Sequence, residues 1–291
     1  MNEQVCKTDV ECCDGTAGVD AGGYPVEATG NAVLDILEHR SSTRAFARDD
    51  DDRPVAVTDE QRAAILHAAS RAPSAGAMMM YSIVSIREQA TLDRLADLCD
   101  HQPMIAKAPW ALIFVVDYAK WIDLFDHVGC FEPEFAERTG KQPRRAPGLG
   151  DFAIAAQDAV IAAQNAVVAA EALGLGSCYI GDIVENAEEV AELLGLPPYT
   201  MPLSMLIIGT PRKERPAIAH PVVNLVHEER YRRADAATMD AQVAEMDAMF
   251  RPHAREVGER VVDIYTRKHT SPFMAEMSRS MEWWFKNWLG K

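Results

Sequence analysis

Val33, Leu34, Ile36 and Leu37 recur at the one-three-four spacing of an apolar helix stripe that runs out at His39. A polar loop follows through Asp49 to Asp52 and Pro54. Thr58 and Gln61 then stand at capping-box spacing, which predicts a helix to about Arg71, where Ala72-Pro73-Ser74-Ala75-Gly76 breaks it. Tyr81 to Arg87 and Trp110 to Asp117 are short β-rich runs, and the spacing of Leu92, Leu95 and Leu98 predicts a helix between them. Residues 118 to 150 read as a long polar insertion with a basic run from Lys141 to Arg145. Asp151 to Leu173 is an Ala-rich helix ended by Gly174-Leu175-Gly176, and Ser177 to Ile180 is a buried strand. Asn186 and Glu189 suit the start of a helix that Gly195 stops after Leu194, and Leu203 to Gly209 is the last strand. The remainder is helical and amphipathic and closes on Trp283, Trp284, Phe285 and Trp288. Trp284 and Trp288 share one helical face, which needs a surface to cover it, either its own domain or a second subunit.

Strands alternating with helices indicate α+β or α/β packing about one mixed sheet. With 291 residues the chain can bury a large core, as one sizeable domain or two small ones. The expected organisation is a tail over 1–29, where glycines replace apolar periodicity, a domain over 30–225, and a helical extension over 226–291 that packs on the domain or on a partner subunit.

A 48% hydrophobic and 25% charged composition is that of an ordinary soluble domain. The net charge of −15 disfavours nucleic acid and anionic membranes, so a phosphate-bearing ligand would need a local basic pocket. The most apolar stretch, Phe152 to Leu173, is interrupted by Gln157, Asp158, Gln164, Asn165 and Glu171, so no membrane span is expected. The opening Met-Asn-Glu-Gln lacks the basic start and apolar run of a signal peptide, and the expectation is a cytoplasmic protein. Cysteines at 6, 12, 13, 99, 130 and 178 form no Cys-x-x-Cys pair and suggest no metal site.

The segment richest in chemistry is His39-Arg40-Ser41-Ser42-Thr43-Arg44-Ala45-Phe46. Arg presents a planar fork that matches phosphate oxygens, and hydroxyls fill the remaining acceptor positions. Arg40 and Arg44 would share a face if the helix ran on; if it ends near Arg40, the hydroxyls take over its exit. A solvated helix terminus would use the same residue types. Gly174, Gly176 and Gly181 do not make a dinucleotide fingerprint, because the run leaves a helix and enters a strand, the reverse of the required order. No phosphate loop, zinc helix or serine elbow is present.

Taken in order, Arg40 to Phe46, Ala72 to Gly76, Lys107-Ala108-Pro109, the helix running into Gly174–Gly181, and Leu206 to Pro211 resemble the FMN-dependent nitroreductase family over residues 31–225. The resemblance implies a nitroreductase-like α+β fold with a central mixed sheet flanked by helices, in an intertwined homodimer with FMN at the interface. Arg40 and Ser42 would contact the phosphate or ribityl chain with Ser41 beside them, and Arg44 would lie near the pyrimidine edge, where a cation stabilises the charge that reduction brings. Pro73, Ser74 and Gly76 would pass alongside the ring. Gly181, with Ile180 before it, would bring a backbone N–H toward N5 without a side chain in the hydride path. Arg44 and Gly181 are therefore the residues closest to the chemistry. Arg212, Lys213, Arg215 and His220 compete for a late phosphate contact, with Arg215 favoured. Ala77 departs from relatives that carry an amide there, and Met80 from relatives with a polar residue.

The implied activity is ping-pong hydride transfer from NADH or NADPH through flavin to a nitroaromatic, quinone or other electron-poor small molecule. The alternatives are an FMN-binding storage or sensor protein, or another flavin chemistry such as reductive dehalogenation or flavin fragmentation.

Overall fold

The computed structural model describes residues 30–141, 145–213, 221–251, 253 and 255–290. The chain divides into a larger unit, residues 45–212 with 275–291, and a smaller one, residues up to 44 with 213–274. Helix α1 (Ala32–His39) belongs to the smaller unit.

In the larger unit, α2 (Asp59–Ser70) carries the expected capping box, with Gln61 N–H donating to Thr58 Oγ1 at 3.2 Å and Thr58 N–H to Gln61 Oε1 at 3.0 Å. Strands β1 (Tyr81–Ile86) and β2 (Trp110–Asp117) are joined through α3 (Gln89–Leu98) and α4 (Pro103–Ala106). Helices α5 (Ala119–His127), α6 (Pro133–Thr139) and α7 (Leu149–Ala172) lead to β3 (Gly176–Ile180), α8 (Ala187–Leu194) and β4 (Thr200–Gly209).

The sheet runs β1-β2-β4-β3. Every pairing among the described strands is antiparallel, so the sheet is not the mixed one expected: β1 returns as β2 and β3 as β4, while the connection from β2 to β3 skips one position, which β4 fills antiparallel to both. Trp110 to Val116 are all buried, because β2 is central and covered on both faces, which is why it reads as an unbroken apolar run.

Helix α7 lies across one face. Its buried side is Ala155, Ala159, Ala162, Ala163, Ala166 and Ala170, small enough to let α2 approach, with Ile65 and Ala69 in the same core. By length and composition α7 could cross a membrane, yet one side of it is core.

The polar insertion is a correction, since α5 and α6 fill much of it. Trp121 and Phe125, one helical turn apart, stack at 5.5 Å, and Phe131 meets Phe125 edge-on at 6.3 Å. Two aromatics on one face suffice where the other faces are polar.

Helix α11 (Phe273–Trp288) ends the chain, and the cover for its aromatic face is its own fold. Trp284 and Trp288 are fully buried, the first donating from Nε1 to Val184 O at 2.9 Å and the second to Gly148 O at 3.1 Å. α11 also caps α8. Asn186 lies at φ 47° and makes no side-chain cap; its amide donates instead to Leu98 O at 2.7 Å. The backbone N–H groups of Asn186 and Ala187 donate to Glu276 Oε1 (3.2 Å) and Ser280 Oγ (3.1 Å), so the expected local cap is replaced by a distant one.

Gly209, at the end of β4, has no room for a side chain. A Cβ there would lie 2.7 Å from Phe46 Cδ1 and 2.7 Å from Pro109 Cγ. Phe46 faces Pro211 in an antiparallel bridge, and Ala47 N–H donates to Thr210 O at 2.8 Å.

The smaller unit contains α1, α9 (Ala236–Phe250) and α10 (Glu259–Ile264), the last continuing into a wide π turn over Tyr265–His269. Asp263 ties its ends together, accepting from Arg251 at 2.9 Å, Arg260 at 3.1 Å and Arg267 at 2.5 Å. Residues 1–29, with Cys6, Cys12 and Cys13, lie outside the described residues.

Candidate functional site

Helix α1 ends where its apolar stripe ends. Arg40 N–H closes the last turn on Ile36 O at 3.0 Å, and Arg40 itself is extended, with ψ 131°. Arg40 and Arg44 therefore do not share a helical face, and the segment between them forms the helix exit. Ser41 and Thr43 are buried, Ser42 is exposed, and both arginines are half-buried. Among the described residues neither guanidinium has an ion-pair partner. Thr43 is 2% exposed, and its Oγ1 has no hydrogen-bond partner. Among the described residues the segment thus offers half-buried cations without carboxylates and a hydroxyl without a partner, groups able to receive an anion.

The second place is the turn after α2. Pro73 and Gly76 are exposed and Ser74 is half-buried. A single 3₁₀ turn spans Ala75–Ala77, with Gly76 and Ala77 both at φ 57° and Met79 at φ 47°. The left-handed region costs a residue with a Cβ about 1–2 kcal/mol, so Ala77 and Met79 hold it only because their surroundings impose it. Met79 N–H donates to Ser74 Oγ at 3.2 Å, and Trp121 Nε1 donates to Met78 O at 2.9 Å. Asp158 of α7, 2% exposed, receives Ala75 N–H at 2.9 Å on one oxygen and Met80 N–H at 3.3 Å on the other. The three methionines divide: Met80 is core, Met78 half-buried and Met79 exposed. In the sequence Asp158 shows only as an acid interrupting an apolar, alanine-rich helix, which does not mark it as part of a site.

The third place is the exit of β3. The Ile180 side chain is buried, so only its backbone can face a ligand. Gly181 is exposed, and a Cβ built on it meets nothing within 4 Å. Nothing inside the fold demands a glycine there, and the space beside it is open to a ligand. A 3₁₀ turn over Gly181–Val184 follows, and Asp182 accepts from Gln102 Nε2 at 2.5 Å. Behind it Glu185 is 3% exposed with Oε1 unpartnered; burial first, then the charges of Asp182, Asp100 and Glu276, pushes its carboxyl up to about 7. Glu276 moves the other way, to about 2, because Arg279 and Ser280 hydrogen-bond it. Burial, with Asp182 and Glu185 nearby, pushes the Cys99 thiol up, so it is a core group and no nucleophile.

Arg40, Ser41, Ser42 and Arg44 belong to the smaller unit, whereas Pro73, Ser74, Gly76, Ile180 and Gly181 belong to the larger one. Arg215 lies outside the described residues, as does His220. Among the described residues no group of three His, Cys, Asp or Glu side chains could hold a metal ion. The three places offer cations, hydroxyls and open backbone, groups that bind and orient.

The sequence profile of the nitroreductase family matches residues 37–210. The chain is 32% identical over 215 residues to an FMN reductase [NAD(P)H] of Bacillus subtilis, covering 73% of this chain and 79% of that protein. It is 33% identical over 219 residues to the oxygen-insensitive NADPH nitroreductase of Salmonella typhimurium, covering 73% and 81%. Among solved structures, the NADPH:FMN oxidoreductase of Vibrio harveyi complexed with NAD+ superposes with a TM-score of 0.66 at 26% identity, covering 86% of this chain and 97% of that one.

Proposed function

Because the chain belongs to the nitroreductase family, we propose that it is an FMN-dependent oxidoreductase drawing electrons from NADH or NADPH and reducing small electron-poor molecules such as nitroaromatics and quinones. The observation that carries this reading is the pair Arg40 and Arg44, half-buried and without ion-pair partners among the described residues, in a chain of net charge −15. Bound FMN would supply the two-electron exchange between nicotinamide and acceptor. Arg40 and Ser42, with Ser41 beside them, hold the phosphate end. Arg44 sets a fixed positive charge against the pyrimidine edge. Pro73, Ser74 and Gly76 line the ring, and Gly181 leaves the approach to it free of a side chain. Arg215 is assigned the late phosphate contact. None of these groups undergoes the redox chemistry, so binding and orientation are the protein's contribution.

The active form is a homodimer. Ile154, Val160 and Ile161 are exposed, with Gln157 between them and Gln164 one turn beyond, along the side of α7 opposite its buried alanines. A central helix that is apolar on its outer side needs a second surface, and the same patch on a second copy provides one.

The test is anaerobic titration of FMN-loaded protein with NADPH and with NADH, followed by a quinone. The visible flavin band should bleach with at least one donor and return on adding quinone. Protein that takes up no FMN, or whose bound flavin neither donor bleaches, overturns the proposal.

A further inference from the structure

Asp158 is a buried carboxylate with no ion-pair partner among the described residues, on the face of α7 otherwise made of alanines and Val167. Lys120 is near enough to feel its charge, but the Lys120 ammonium is bonded to Tyr81 O at 2.5 Å. Burying a charge is expensive unless its hydrogen-bonding capacity is used. Here it is used on backbone: the two oxygens receive Ala75 N–H and Met80 N–H, the two ends of the segment that contains Gly76, Ala77 and Met79 in left-handed conformations. A neutral hydrogen-bonding group could occupy the same volume, but a carboxylate makes both bonds charge-assisted and presents no donor of its own.

We infer that Asp158 is a positioning residue for the flavin-lining turn: by clamping both ends of residues 75–80 from the core helix, it fixes Pro73, Ser74 and Gly76 at the height and tilt the ring requires. This rests on the FMN reading given above. Asp158 touches neither flavin nor substrate and acts only through the turn. Asp158→Asn keeps the shape but turns an amide donor toward one of two N–H groups. Ala75→Pro removes one of those donors from the other side, and its Cδ, standing where the N–H met Oδ1 at 2.9 Å, also pushes the carboxylate off that end; the extended Ser74, at ψ 152°, accepts a following proline. Tyr81→Phe serves as control, since it deletes a bond of the same core, Tyr81 Oη to Ala69 O at 3.2 Å, and leaves both N–H bonds to Asp158 in place.

The experiment measures amide hydrogen exchange in the FMN-free protein, and FMN affinity and visible circular dichroism in the loaded one. In Asp158→Asn the Met80 and Ala75 amides should exchange at least tenfold faster while β2 amides keep their rates. FMN affinity should fall about tenfold with a changed flavin dichroism, Ala75→Pro should shift the dichroism in the same direction, and Tyr81→Phe should do neither. Parental exchange at Met80 and Ala75 overturns the clamp. Faster exchange with parental affinity and dichroism overturns its role toward flavin. If Asp158→Asn does not fold, the dichroism of Ala75→Pro decides. A parental chain that binds no FMN refutes the functional reading instead, and the exchange arm still judges the clamp.

Discussion

Glu185→Gln should make the protein more stable at neutral and alkaline pH and remove a slope from its stability curve. Glu185 is 3% exposed, its Oε1 has no partner, and burial with three carboxylates nearby holds its carboxyl at about 7 against an ordinary 4.5. Between those two values the folded protein keeps a proton that the unfolded chain has released. Stability must therefore fall as pH rises from about 4.5 to 7 and level off above, the reverse of an ordinary salt-bridged acid. Each pH unit in that window carries at most about 1.4 kcal/mol, a ceiling of roughly 3 kcal/mol, and solvent screening brings the expected effect to about 1–2 kcal/mol at pH 8. Glutamine keeps the shape and cannot ionise, so the variant should gain that amount at pH 8 and almost nothing at pH 4.5. Chemical denaturation at half-unit pH steps reads the difference directly. Parallel curves for parent and variant would refute the reasoning.

Three other substitutions test the packing around the site. Ser280→Ala strips the cap from Ala187 N–H and should cost about 1–2 kcal/mol, with faster exchange of that amide. Gly209→Ala drives a methyl into Phe46 and Pro109 and should cost about 1–3 kcal/mol, read as a lower melting temperature. Ala77→Gly should instead stabilise by about 1 kcal/mol, because glycine takes φ 57° without strain.

The elements with strong local causes were readable in advance. Thr58 with Gln61 announces α2, and the apolar run from Trp110 to Val116 announces a central strand. What the sequence conceals is set by distant partners. Asn186 looks like a cap, yet its side chain turns to Leu98 O, and its own N–H and that of Ala187 are received by Glu276 and Ser280, some ninety positions away in the chain. Whether Trp284 and Trp288 faced their own core or a second subunit depended on Val184 and Gly148 being within reach of their ring nitrogens, and the answer is the core. Of the proposed site, Arg40 to Arg44, Pro73 to Gly76 and Gly181 stand out through composition and order. Asp158 did not, because a carboxylate that binds only backbone has no matching residue type to point to. Ala77 likewise looked like a lost amide contact, whereas its left-handed backbone gives a second reason for an amide residue: asparagine tolerates that conformation better than alanine does.

The central claim, that the Arg40 guanidinium at the exit of α1, without an ion-pair partner among the described residues, holds a flavin phosphate, is tested most directly by comparing FMN with riboflavin, which differ only in that phosphate. Binding of each to parent and Arg40→Ala should be followed by flavin fluorescence. The parent should prefer FMN by at least a hundredfold, and the variant should lose ten- to a hundredfold of FMN affinity, the range of one or two charge-assisted bonds, while its riboflavin affinity stays put. Equal affinity of the parent for the two flavins, or an undiminished preference for FMN in Arg40→Ala, would contradict it.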